Sequence, residues 1–315
     1  MKPIVPFLSS AASEERGMWS QTLPAALNDI ADVLAFEDMT PAQRAAARVA
    51  IVANPDPAEV RALPNLKWVQ SLWAGVERLT AELPEDGPEI VRLVDPQMAQ
   101  TMSEAVLAWT LYLHRDMPRY RAQQEKKIWQ PQTLKLPSER TIGIIGLGEL
   151  GRASATRLRQ NGFQVAGWSR SKKHLSGITC YNGADGLQSL VASSDIVVLL
   201  APLTSETEGL LNSELLACFK NNACLINFAR GPIIDTPAML ASLENGPLAH
   251  AVLDVFATEP LPQDSPLWTH PQVAVLPHIS APTIPETAVQ IVRDNIAAYF
   301  ETGIHPKSVD RSRGY

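Results

Sequence analysis

The sequence predicts an α/β protein with two doubly wound parallel-sheet domains, and three observations predict it. Short apolar, β-branched runs alternate with helix-like segments, the pattern of a parallel sheet covered by helices on both faces. One such run, TIGII from Thr141, leads directly into Gly146-Leu147-Gly148-Glu149-Leu150-Gly151 and then into helix-like sequence. At 315 residues the chain is also longer than one ordinary core accommodates.

In the first hundred residues, apolar runs predict strands at residues 4–8, 33–36, 49–52, 68–72 and 90–94. Helices are predicted over 14–28, 41–47 and 58–63, with Pro41 and Pro57 suited to first-turn positions. The run at 68–72 ends in Trp73-Ala74-Gly75-Val76, a small-residue turn at the carboxyl end of a strand, where open α/β sheets bind ligands. Thr101-Met102-Ser103-Glu104 has the capping-box pattern and predicts the start of a long helix. Val106, Trp109, Thr110 and Leu113 share one face of it, and Pro118 is expected to kink or end it. Residues 119–139, polar and carrying Pro131 and Pro137, read as a helical extension and a connection.

From Thr141 the rhythm is regular. Six strands are predicted at 141–145, 164–168, 196–200, 224–227, 249–254 and 273–276. Helices are predicted at 151–161, 187–192, 213–218 and 236–244, the first stopped by Asn161-Gly162. A final helix is expected over 282–300, with Ala288, Ile291, Val292 and Ile296 on its apolar face, followed by a polar tail.

Composition excludes several classes. A hydrophobic share of 45%, a charged share of 19% and a net charge of −6 describe an ordinary globular protein and argue against a nucleic-acid partner. No apolar run is long enough to span a membrane. The apolar run of MKPIVPFLSSAAS is too short for a secretion signal and is interrupted by Pro6. Cys180, Cys218 and Cys224, an odd number without a CxxC pair, are expected to be free thiols in a reducing cytoplasm. No metal-ligand spacing is present, and none of His114, His174, His250, His270 and His305 falls in a catalytic pattern.

The glycine motif carries a specific physical demand. Its first glycine permits a tight turn, its second lets a pyrophosphate approach the backbone, and its third lets the helix pack closely on the strand. The helix N-terminus then aims N–H groups and a positive dipole end at the anion. The second strand of such a unit ends near the adenosine ribose. Here that end is Ser169-Arg170-Ser171-Lys172, without an acid, and Arg170 lies 19 residues after Gly151. An arginine there accommodates a 2′-phosphate, so NADP(H) is expected over NAD(H).

Three later stretches carry chemistry. Arg230 in NFARG, Glu259 in DVFATEP and His278 in LPHIS each follow a predicted strand, and all three fall at one edge of the sheet. Arginine binds a carboxylate bidentately and polarises a carbonyl. Histidine gives or takes the proton that accompanies hydride transfer, and a carboxylate beside it fixes its orientation.

The set GLGELG, NFARG, DVFATEP and LPHIS resembles the D-isomer-specific 2-hydroxyacid dehydrogenase family over the whole length. LWAGVE, WSRS, PLWTHPQV and the ending DRSRGY are similar to its bacterial glyoxylate/hydroxypyruvate reductases. The resemblance implies a Rossmann-like cofactor domain, 101–282, inserted into a flavodoxin-like substrate domain, 1–100 plus 283–315. It implies that Arg230 binds the 2-keto acid, that Glu259 supports His278, and that His278 donates the proton. It implies that the backbone of Ala74, Gly75 and Val76 holds the substrate carboxylate beside Trp73. Gly146–Gly151, Ser169–Lys172, Ala201, Pro202, Phe228, Ala229 and Asp254 are its implied cofactor contacts. A homodimer joined through the nucleotide domains is implied as well. Trp73 stands where relatives often carry a small residue, which leaves open a bulkier substrate such as an aryl pyruvate. A nucleotide-sensing binding protein on the same fold is the alternative from another class.

Overall fold

A computed structural model describes residues 2–311 and 313–314, so Ser312 and Tyr315 of the DRSRGY ending lie outside the described residues. The chain divides into two units, residues 1–97 with 283–315, and residues 98–282.

The first unit alternates β1 (Ile4–Ser9), α1 (Ser13–Leu27), β2 (Asp32–Ala35), α2 (Pro41–Ala46), β3 (Val49–Ala53), α3 (Pro57–Arg61), β4 (Trp68–Ser71), α4 (Glu77–Glu82) and β5 (Glu89–Val91). Its strands pair in parallel in the order β2-β1-β3-β4-β5, a doubly wound order. All five residues of β3 are buried, as both-face coverage of a central strand requires. Pro41 and Pro57 open their helices as expected, and the Asp56 carboxylate accepts from Ala58 N. The short α4 was not legible: its six residues, ERLTAE, are too few to show a period.

The second unit takes up the chain with α5 (Pro96–His114) and α6 (Met117–Glu125). Here one expectation is corrected. The helix begins five residues before Thr101, because Asp95 accepts from Gln97 N at 2.8 Å and Pro96 occupies its first position. Thr101 and Glu104 therefore lie inside the helix rather than at its start. Pro118 ends the helix as expected: α5 stops at His114, four residues back, the chain turns through Asp116 at φ 56°, and Pro118 lies in the first turn of α6.

The sheet of this unit contains β6 (Thr141–Ile145), β7 (Gln164–Trp168), β8 (Thr179–Tyr181), β9 (Ile196–Leu199), β10 (Ala223–Asn227), β11 (Leu248–Leu253) and β12 (Val273–Val275), all parallel. The order is β12-β11-β10-β9-β6-β7-β8, with seven strands where six were expected. The extra one, β8, is three residues long and half-buried at the edge, too short to show a pattern. The helices between them are α7 (Glu149–Gln160), α8 (Gly183–Ser193), α9 (Ser213–Ala217) and α10 (Thr236–Asn245). Ile196 and Val198 pack into one apolar layer, Val197 and Leu199 into the other. That two-sided burial explains why β9 reads as an uninterrupted apolar run. The last helix, Pro285–Thr302, belongs to the first unit, and Ala288, Val292 and Ile296 are buried along it as expected.

Two histidines lie inside the second unit. His250 on β11 is 7% exposed, and its buried Nε2 has no partner among the described residues. Desolvation, reinforced by His270, lowers its pKa from 6.5 to about 4. His114 is lowered in the same direction, by burial first and then by Arg140. Between pH 6.5 and 4 the unfolded chain thus binds a proton that folded His250 refuses. The stabilisation is complete above about 6.5 and is lost as pH falls toward 4, by about 3 kcal/mol at roughly 1.4 kcal/mol per pKa unit. His250→Leu is expected to flatten this part of the stability–pH curve. Denaturant titrations of both proteins at pH 7, 5.5 and 4.5 check this; parallel curves would refute it.

Candidate active site

The glycine motif forms the turn from β6 into α7. Gly146 has φ +108°, and a Cβ there would lie 2.5 Å from Ala201 N; a Cβ on Gly151 would meet Gly146 O at 1.8 Å. The turn is therefore closed to side chains from the protein side. Gly148, the residue before the helix, has nothing within 4 Å of its Cβ position, so the space in front of the α7 N-terminus is open. This cradle fits a dinucleotide pyrophosphate. Leu147 is buried beneath it against Gly167, whose Cβ would lie 2.5 Å from Leu147 Cδ2. Leu150 is partly buried, and Glu149 pairs with Arg152 on the exposed helix surface.

At the end of β7, Ser169 is buried and its hydroxyl donates to Ser171 O. Arg170 Nη1 contacts Glu206 Oε2 at 2.8 Å, with the two side chains 37% and 61% exposed. Lys172 is exposed in the same loop. Ala201, Phe228 and Ala229 are buried after β9 and β10, and Pro202 O accepts from the Thr207 hydroxyl.

The catalytic candidates leave the carboxyl ends of β10, β11 and β12. Glu259 and His278 are brought together: His278 Nδ1 is 2.7 Å from Glu259 Oε2. Glu259 is itself held, since Phe256 N donates to its Oε1 at 2.9 Å. With Nδ1 engaged, Nε2 is the ring atom left to exchange a proton with a ligand, and the His278 side chain is 52% exposed. Arg230 follows β10 and caps the short helix Gly231–Ile233, and its Nη1 donates to Ala229 O at 2.7 Å. The three strand ends are tied through their backbones, His278 N to Asp254 O at 3.0 Å and Asp254 N to Asn227 O at 3.1 Å.

In the first unit, the Trp73–Val76 turn lies between β4 and α4. Trp73 N donates to the Ser71 hydroxyl, Leu93 N donates to Trp73 O, and the Trp73 ring stands edge-on to Trp19 at 6.4 Å. Among the described residues, no hydrogen bond takes the N–H groups of Ala74, Gly75 or Val76. Successive peptide donors of this kind bind anions.

Residues 107–280 match the family described as D-isomer specific 2-hydroxyacid dehydrogenase, NAD binding domain. The chain belongs to this family. A solved dehydrogenase of the family from Xanthobacter autotrophicus, in complex with NADPH and MES, is 38% identical, with both chains covered fully and a TM-score of 0.91. An NADPH-dependent glyoxylate/hydroxypyruvate reductase from Sinorhizobium meliloti, in complex with NADP and sulfate, is 32% identical, again over both full chains, with a TM-score of 0.86. A glyoxylate/hydroxypyruvate reductase A from Yersinia enterocolitica is 39% identical over 84% of this chain and 87% of its own. The protein is an oxidoreductase, an NAD(P)-dependent 2-hydroxyacid dehydrogenase. Among the described residues no cluster could hold a metal, and no helix is long and apolar enough to cross a membrane.

Sequence reasoning missed two features of this dehydrogenase. Asn227 is 1% exposed at the end of β10, its side chain bonded to Ala229 N and Arg230 O. Its signal was an Asn closing the apolar run CLIN, the kind of residue that bonds the backbone just ahead of it. The second is Asp254, whose carboxylate accepts from Ile279 N at 2.7 Å and Ser280 N at 3.0 Å. Reading it as a cofactor contact gave no hint of that use.

Proposed function

We propose that this dehydrogenase reduces small 2-keto acids with NADPH, glyoxylate to glycolate and hydroxypyruvate to D-glycerate. The observation that carries the reading is the His278–Glu259 pair at the sheet edge, with Nε2 left for the substrate. The relatives named as glyoxylate/hydroxypyruvate reductases support the choice of substrate. When bound, the nicotinamide supplies the hydride. Arg230 grips the 2-keto acid and polarises its carbonyl, and His278 Nε2 delivers a proton to the carbonyl oxygen. Glu259 holds the ring in the tautomer and orientation this needs. The N–H groups of Ala74, Gly75 and Val76 take the substrate carboxylate, beside Trp73. Purified protein with NADPH and NADH against glyoxylate, hydroxypyruvate and phenylpyruvate tests the reading. Preference for phenylpyruvate would overturn the small substrate, and absence of any reduction would favour a nucleotide-sensing protein.

The preference for NADPH rests on Arg170, with Ser169, Ser171 and Lys172 beside it and no acid at the end of β7. Glu206 holds the guanidinium and would yield it to a 2′-phosphate, because the exposed pair is weak. A phosphate contact of about 1.5–3 kcal/mol corresponds to one to two decades. Arg170→Asp is therefore expected to lower kcat/KM for NADPH by about 10- to 100-fold while changing that for NADH less or raising it. A wild-type enzyme that prefers NADH would refute the assignment.

The three free cysteines fit a reducing, cytoplasmic setting. A homodimer is supported by the segment after α6, where Ile128, Trp129, Leu134 and Leu136 are 47%, 100%, 64% and 57% exposed. Apolar side chains left in water favour association. Trp129→Ser is expected to raise the dimer dissociation constant by at least tenfold, since a buried aromatic anchor is worth about 2 kcal/mol or more. Sedimentation velocity over a concentration series reads this. Unchanged profiles would place the interface elsewhere.

A further inference from the structure

Two buried polar side chains at the ends of adjacent strands, Asn227 and Asp254, are bonded to the peptides that carry Arg230 and His278. From their geometry we propose that both are positioning residues, Asn227 for Arg230 and Asp254 for His278. This rests on the roles given above to Arg230 and His278.

The case for Asp254 begins with the backbone of His278. Its φ is +52°, a left-handed conformation that a residue with a Cβ seldom adopts unless its surroundings hold it. One residue does the holding. Asp254 O accepts from His278 N at 3.0 Å, Oδ1 from Ile279 N at 2.7 Å and Oδ2 from Ser280 N at 3.0 Å. Three successive peptide N–H groups are thus gripped by a single side chain and its own carbonyl. Asp254 is 2% exposed, so these charge-assisted bonds are shielded from water. The grip sets the direction in which the His278 side chain leaves the loop, and so whether Nδ1 meets Glu259.

Asn227 repeats the device one strand away. Its Oδ1 accepts from Ala229 N and its Nδ2 donates to Arg230 O, both at 3.1 Å. Both ends of this 1% exposed side-chain amide are spent on the loop that carries Arg230, one on the N–H of the residue before it and one on its own carbonyl. Asp254 N donates to Asn227 O, which ties the two grips together. Neither side chain needs to touch substrate to act. A reacting group displaced by about 1 Å loses about 100-fold in rate.

Double-mutant cycles on the intact enzyme test the pairing. Asp254→Asn keeps the shape but turns a donor toward a peptide N–H that needs an acceptor. It is expected to lower kcat about 10- to 100-fold, leaving KM for glyoxylate and the NADPH dissociation constant within about twofold. In the His278→Ala background the same change should have no further effect, whereas beside Arg230→Ala the full loss should persist. Asn227→Ser should show the reverse pairing, silent only beside Arg230→Ala and raising KM as well as lowering kcat. Losses that multiply in the His278→Ala background overturn the role of Asp254, and losses that multiply beside Arg230→Ala overturn that of Asn227. If His278→Ala alone keeps wild-type kcat, it is the assignment of the proton donor that has failed, and the cycle shows this directly. Asp254→Ser is the substitute should Asp254→Asn not fold. If neither variant folds, the residue serves the fold and the proposal falls.

Discussion

Replacing His278 with alanine is expected to lower the turnover of keto-acid reduction by about 10²–10⁴-fold, the contribution typical of a positioned general acid. The expectation rests on how the ring is held. Its Nδ1 is committed to Glu259 at 2.7 Å, and Glu259 is committed in turn to Phe256 N, so neither partner is free to rotate. The ring atom facing away from this pair is therefore presented in one orientation. Alanine removes that proton donor and leaves the cofactor cradle at Gly146–Gly151 untouched, so NADPH binding followed by nicotinamide fluorescence should be unchanged. Glu259→Gln should cost less, because the amide oxygen can still accept from the Nδ1–H, although the charge is lost and the amide nitrogen then faces Phe256 N–H. Steady-state turnover and NADPH titration of both variants separate a chemical defect from a binding one. Wild-type turnover in His278→Ala would mean that another group supplies the proton.

What the sequence reveals and what it conceals divide along physical lines. The central strands of the second sheet were legible because both their faces are buried, so β9 is apolar throughout and β10 is apolar up to Ile226. The glycine turn was legible because only glycine satisfies a φ of +108° against Ala201. The first helix of the second unit was misjudged because Thr101 and Glu104 satisfy a local pattern, while Asp95 and Pro96 offer an earlier start. The candidate catalytic residues were found by their place after strands, yet the means of holding them was not. A buried Asp254 looks the same in a sequence whether it binds a ligand or three peptide N–H groups. The left-handed backbone of His278 leaves no trace in the residue type. Contacts between strand ends distant in the chain, such as Gly231 against Phe256, are equally silent.

That last contact predicts a large effect from a single methyl group. A Cβ on Gly231 would lie 2.0 Å from the Phe256 carbonyl carbon and 2.4 Å from both Ala257 N and Phe256 O, where ordinary contact begins at 3.4 Å. The obstacle is backbone, so no rotamer change relieves it, and one of the two segments has to move by about 1 Å or more. Both segments carry candidate catalytic residues. Gly231 directly follows Arg230, and Phe256 N–H anchors the Glu259 carboxylate that holds His278. Gly231→Ala is therefore expected to lower kcat/KM by at least about 100-fold, the consequence of a displacement of about 1 Å at reacting groups. It should also destabilise the protein by about 3 kcal/mol, at or above the upper end for overpacking, since backbone rather than side chain must yield. The same substitution elsewhere should have the opposite sign. Gly17, inside α1, has nothing within 4 Å of its Cβ position, so Gly17→Ala should stabilise the helix by up to about 1 kcal/mol and leave activity unchanged. Thermal melts and steady-state kinetics on the two variants side by side test the contact. A Gly231→Ala enzyme as active and stable as wild type would show that the two strand ends do not meet as described.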